Sequence, residues 1–144
     1  SYNATVESDP IECIPPTHMR YFHNLKPFFI SEDNKCFVHA GMEPDQTVDS
    51  QPFDRLIWDR NLFMTAVNES KELDGRLCTH YEHVYIGHTP TVALQDTPLI
   101  VSNLWMMDQG AGWRGKLSIM NVDTHEFWQS DNVKKLYPKS MGRG

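Results

Sequence analysis

The apolar residues of this chain come in short bursts set between polar and turn-forming residues. The longest, such as Pro27-Phe28-Phe29-Ile30 and Pro98-Leu99-Ile100-Val101, end after a few positions. A helix crossing a bilayer needs about 18 consecutive apolar residues, so this patterning argues against a membrane-spanning helix and favours short strands. Val84-Tyr85-Ile86, Leu99-Ile100-Val101, Leu104-Trp105-Met106-Met107, the alternating segment 116–122 and Phe127-Trp128 all carry strand patterns. Earlier in the chain, Phe28-Phe29-Ile30 and Cys36-Phe37-Val38 flank Glu32-Asp33-Asn34-Lys35, the arrangement of a hairpin turn.

Helical spacing is confined to the first half. Ile14-Pro15-Pro16 sets up a helix start that Thr17 can cap, and Met19, Phe22 and Leu25 follow three apart until Pro27 stops the run. Between 53 and 67, the residues Phe53, Leu56, Ile57, Phe63, Met64 and Val67 trace one helix face, with Arg60 in a slot on that face. The polar stretch 43–52, with two prolines, reads as a loop. Early helices and late strands make a mixed α/β pattern.

With 144 residues and 16.7 kDa, the chain fits one domain or part of one over 1–144. Its 13 Lys plus Arg against 19 Asp plus Glu leave a net charge of −6, with no basic strip, which disfavours nucleic-acid binding by phosphate neutralisation. Cys13, Cys36 and Cys78 are odd in number and lack a CxxC spacing, so neither a disulfide framework nor a zinc knuckle is expected, and the setting expected is reduced and cytoplasmic. The start, Ser1-Tyr2-Asn3-Ala4, has neither the charge nor the apolar core of a signal peptide, and without Met it suggests a processed or cut chain.

Two segments repeat one design, a buried strand ending in a histidine among small residues: Phe37-Val38-His39-Ala40-Gly41 and Tyr85-Ile86-Gly87-His88-Thr89-Pro90. Ligands of α/β proteins gather beyond strand ends, glycine allows close backbone approach, and neutral imidazole is a common metal ligand. A single strand-end histidine is more often a structural hydrogen-bonder; the pairing is what points to a site. In Ile57-Trp58-Asp59-Arg60, an arginine on an apolar face requires an anionic partner, either a carboxylate or a phosphate, unless it snorkels to water. The run Asp108-Gln109-Gly110-Ala111-Gly112-Trp113-Arg114-Gly115-Lys116 is a flexible turn able to cradle an anion or to serve as a hairpin loop.

Taken in order, these segments resemble the C-terminal half of the calcineurin-like metallophosphoesterases, closest to the bacterial serine/threonine phosphatase branch. The matching residues are Phe37 to Gly41, Leu56-Ile57-Trp58-Asp59-Arg60, Ile86-Gly87-His88-Thr89-Pro90, the run from Asp108 to Leu117, and Asp123-Thr124 with Phe127-Trp128-Gln129-Ser130. The resemblance runs from about Thr5 to Tyr137. It implies half of a four-layer α/β/β/α sandwich. It also implies that His39 and His88 ligate one of two divalent metals (Mn2+, Fe or Zn2+), and that Arg60 holds the substrate phosphate of a phosphoprotein or small phosphoester. In such enzymes a metal-bound hydroxide attacks phosphorus.

The family's earlier signatures, GDxHG, GDxxDRG and GNHE, are absent, and Gln109 stands where relatives usually carry Thr. No catalytic acid is therefore expected in this half. Glu43, Asp45 and Asp108 are the carboxylates near the expected site, but they match no metal motif. Alone, the chain should bind metal weakly or not at all, lack activity, and self-associate through sheet edges meant for an N-terminal half. Two alternatives remain at this level: a bis(5'-nucleosyl)-tetraphosphatase-like hydrolase, and a non-catalytic remnant acting as a binding or structural module.

Overall fold

A row of large side chains crosses every strand of the main sheet, and it explains how the layers stack. In the computed structural model, which describes residues 14–69 and 75–139, β1 (Phe28–Ile30), β2 (Lys35–Val38), β3 (His83–Ile86), β4 (Leu99–Val101) and β5 (Leu104–Met106) form a mixed sheet in the order β1-β2-β3-β5-β4. The central strands β2, β3 and β5 are parallel, and β1 and β4 flank them antiparallel. The register aligns Phe29, Phe37, Tyr85, Trp105 and Ile100 across all five strands. Because side chains alternate along a strand, these share one face. Phe37 and Tyr85 stack at 4.8 Å between centroids, and Tyr85 and Trp105 lie nearly parallel at 6.3 Å.

The neighbouring positions Cys36, Val38, Val84, Ile86, Leu104 and Met106 project to the opposite face and are buried in the main core. Against them pack Leu56 from α2 (Phe53–Trp58) and Leu62, Phe63 and Ala66 from α3 (Asn61–Glu69). The aromatic face meets a second layer, the antiparallel pair β6 (Ser118–Met120) and β7 (Phe127–Gln129). Tyr85 donates to the Val122 carbonyl, the His125 ring lies 4.8 Å from Trp105, and Lys35 Nζ reaches Asp123 at 2.6 Å. The layers therefore run helices, mixed sheet, two-stranded sheet. A short helix, α1 (Pro16–His23), precedes β1, and α4 (Val133–Leu136) follows β7.

Several local expectations are corrected. Thr17 does not cap α1: Pro15 is the N-cap and Pro16 the first helical residue, which places Thr17 inside the first turn where its hydroxyl cannot act as a cap. No residue of α1 is buried, and Phe22 and Leu25 are exposed, so that apolar stripe packs on no described core. Segment 43–52 contains a 3-10 turn, Val48–Ser50, anchored by buried Val48. The glycine-rich run is not a hairpin loop, because it joins β5 of one sheet to β6 of the other. Cys13 lies outside the described residues; Cys36 and Cys78 are buried free thiols whose pKa values burial pushes up to about 12.

The largest correction concerns 53–67, which is two helices and not one. Asp59 is extended (φ −61°, ψ 142°), and its carboxylate accepts the Leu62 N–H at 3.1 Å, capping the start of α3. The Ala40 N–H donates to the Leu56 carbonyl, which ties the end of α2 to the residues after β2. Gly41 matters here: a Cβ at that position would sit 2.7 Å from Asp59 Oδ2. Gly41, two residues after His39, thus makes room for a capping carboxylate, whereas the sequence suggested approach to a ligand. With the helix broken, the single apolar face dissolves; Phe53 and Met64 are exposed, and so is Arg60.

Candidate functional site

Parallel strands whose carboxyl ends point the same way deliver their following residues to one edge of the sheet. Here β2 is followed by His39, β3 by Gly87 and His88, and β5 by Met107 and Asp108. The Gly87 N–H donates to the His39 carbonyl at 2.8 Å and the Met107 N–H to the Ile86 carbonyl at 2.7 Å, so the ladder holds the three ends in step. The His39 and His88 rings meet edge to face, with centroids 5.1 Å apart. Residues far apart in sequence are brought together by strand adjacency alone.

His88 occupies a demanding backbone position. Its φ is +62°, and the Thr89 N–H donates to the Gly87 carbonyl at 2.6 Å across a three-residue turn. Left-handed backbone is unusual for a non-glycine residue, though less so for histidine, and such strain concentrates at functional sites. The turn is held from behind. Thr91, fully buried, donates its N–H to the Asp108 carbonyl at 2.8 Å, and Gln109 Nε2 donates to Thr91 Oγ1 and to the Met106 carbonyl. Gln109 is 1% exposed and fastens the loop after β3 to the loop after β5.

Charge at this edge is mixed. Burial holds the His88 pKa below the ordinary histidine value, His39 and Arg60 lower it further, and Asp108 opposes them. That balance puts Arg60 and Asp108 within electrostatic reach of His88. The Arg60 guanidinium makes no hydrogen bond or ion pair with any described residue, so neither the carboxylate partner nor the buried setting expected for it is found. Asp108 Oδ1 accepts the Gly110 N–H at 2.8 Å. Glu43 is engaged by Arg55, and the Asp45 carbonyl faces His80 Nε2 at 2.9 Å.

Between the layers, next to this edge, lies a cavity of about 690 Å³. His39, His88 and Asp108 stand on its polar side and Phe37, Tyr85 and Met120 on its apolar side. The site also includes a residue to which the sequence assigned no role. Trp58, at the end of α2, is exposed, and its ring contacts His88 at 5.6 Å, nearly perpendicular. Nothing in its local pattern separates an exposed tryptophan from a core one, since Leu56 and Ile57 beside it are apolar too.

The donor set suits part of a metal coordination sphere. Two imidazoles offer nitrogen ligands of the kind that Zn2+, Mn2+ and Fe accept. Among the described residues, no group of three or more His, Cys, Asp or Glu side chains is placed to hold a metal ion, so further ligands would have to come from beyond them. No helix among the described residues is long and apolar enough to cross a membrane. No protein-family model matches the sequence, and no curated protein matches it significantly.

Proposed function

We propose that this chain supplies the C-terminal half of a metal-dependent phosphoesterase, most simply a serine/threonine phosphoprotein phosphatase. The layers described above would then be one side of a four-layer α/β/β/α sandwich. The observation that carries the reading is the edge-to-face approach of His39 and His88 at 5.1 Å, at the ends of adjacent parallel strands. Two histidines with no ligand in common have little reason to meet at a sheet edge with one of them in left-handed backbone. An ion shared between them supplies that reason.

In this reading His39 and His88 hold one of two divalent metals, and Arg60, exposed beside them, receives the phosphate through its planar fork of donors. A metal bound there supplies Lewis acidity toward phosphoryl oxygens and activates water. The protein's own contribution is positional. Gln109 and Thr91 fix the His88 turn against Asp108, and the Asp59 cap fixes the backbone that presents Arg60. Neither histidine is placed to protonate a leaving group if both bind metal, so that step falls to residues outside this chain.

The test is a Zn2+ titration followed through the histidine ring nitrogens by NMR. The His39 and His88 signals should move together over one Zn2+ range, and in His39→Ala or His88→Ala the remaining ring should no longer respond over that range. Independent titration of the two rings would refute the shared site.

A further inference from the structure

Trp58 is 68% exposed although it is among the largest apolar side chains of the chain. A tryptophan left in water forfeits much of the free energy its burial would bring. Here the exposure is enforced. The Asp59–Arg60 break ends α2 directly after Trp58, and the Ala40-to-Leu56 hydrogen bond and the Asp59 cap pin the backbone on either side of it. Its one ring partner among the described residues is His88, met at 79° with centroids 5.6 Å apart. A perpendicular contact of this kind leaves most of the indole surface uncovered.

Two residues further on, Arg60 is exposed and carries no ion pair among the described residues. The edge of the sheet therefore presents a fixed aromatic surface on the His39–His88 pair, with the Arg60 guanidinium within electrostatic reach of His88. A bare phosphate would use the guanidinium and leave the indole in water. A ligand that uses all of them joins an anionic phosphoryl group to a planar apolar group.

We infer that Trp58 is a specificity-determining residue, and that the site takes phosphoesters whose alcohol is aromatic, the ring resting on the indole while Arg60 engages the phosphate. This rests on the phosphoesterase reading above and moves it away from serine and threonine esters, whose alcohols are aliphatic, to esters of an aromatic alcohol. Aromatic pairing contributes modestly, so the expected preference is a ratio and not an on/off effect.

The experiment compares phenyl phosphate with methyl phosphate, bound to the purified 144-residue chain, with affinities taken from NMR titration. Phenyl phosphate should bind roughly 5-fold more tightly than methyl phosphate, within the range of one aromatic contact. Trp58→Ala should bring the ratio to about one. Trp58→Phe should restore most of the preference, which a purely structural role for the indole would not require. A ratio that survives Trp58→Ala, or that is absent in the unaltered chain while Arg60→Ala still weakens methyl phosphate, overturns the role of Trp58 and leaves the phosphoesterase reading standing. Failure of both esters to bind, with no effect of Arg60→Ala on inorganic phosphate, overturns the two together.

Discussion

Gly115 shows how much of the site depends on a single missing Cβ. A side-chain carbon there would lie 1.8 Å from the Gln109 carbonyl oxygen, closer than any non-bonded contact allows. The clash is with backbone, so no rotamer change relieves it. The Lys116 N–H bonds to that same carbonyl at 3.0 Å, and the Gly115 N–H to the Gly110 carbonyl at 2.8 Å. Gly115→Ala must therefore displace the segment that carries Gln109, and with it the Thr91 contact that steadies the His88 turn. We expect a stability loss of about 3 kcal/mol or more, at the upper end of overpacking changes, measured by urea denaturation. Gly75→Ala, where nothing lies within 4 Å but φ is +89°, is the control for backbone strain without a clash. Arg60→Ala acts differently at this scale: the residue is exposed and unpaired among those described, so stability should stay within about 0.5 kcal/mol of the unaltered chain while phosphate binding falls.

At the scale of elements, strands were the most legible part of the sequence and the helix break the least. Each strand signal reappears within a residue or two, because alternation and short apolar bursts report directly on sheet pairing. The single helix expected over 53–67 failed because its apolar spacing continues across Asp59, and only the carboxylate's bond to Leu62 N–H shows that the chain restarts there. Arg60 lacks the buried place that its spacing suggests, yet its charge is felt at His88. The convergence of His39 with His88 could be suspected from two similar strand ends, but it required knowing that β2 and β3 are neighbours. Trp58 was beyond reach, since exposure is a property of the break.

The contact between the two sheets is the element-scale feature most open to pH. His125, in the turn between β6 and β7 with φ +58°, packs edge to face on His83 of β3 at 5.1 Å. His83 Nδ1 is buried without a hydrogen-bond partner. Burial first, and then His125, Lys35 and Arg76, hold the His83 pKa below 6.5, with Glu82 opposing. The other groups facing this contact are Tyr85, whose hydroxyl lies 3.4 Å from His125 Nε2, and the Lys35 amine between Asp33 and Asp123. A histidine with a depressed folded pKa favours the folded form while neutral. Its contribution is full above 6.5, the unfolded value, and is lost as pH falls from there through the folded pKa. Stability should therefore decline on the acid side of 6.5, and His83→Phe, which cannot protonate, should flatten that slope. Trp105, tilted against His125 at 4.8 Å, gives the readout through its fluorescence. An unchanged slope in His83→Phe would assign the acid sensitivity to another group.

For the whole molecule, the two layers are unequal. A five-stranded sheet presents an aromatic row, and a two-stranded sheet covers part of it, leaving Phe29 and Ile100 exposed at the ends of the row. Among the described residues the outer edges of β1 and β4 and both edges of the β6–β7 pair are unpaired. Open edges next to apolar surface favour association, so light scattering should show an average mass that rises with concentration. The chemistry is unequal in the same way. On the phosphoesterase reading, two histidines and an arginine would hold a metal loosely and grip a phosphate, but a two-metal centre needs a bridging carboxylate, and the leaving oxygen needs a positioned acid. No described group of three or more His, Cys, Asp or Glu meets the first need. The purified chain should therefore show no metal-dependent hydrolysis of an aryl phosphate above background. A polypeptide carrying the GDxHG, GDxxDRG and GNHE segments, fused or added in trans, should both restore turnover and suppress the association, because one docking event completes the centre and covers the edges. Robust turnover by the chain alone, lost in His88→Ala, would show that a residue within it completes the centre, and the half-site argument would fall.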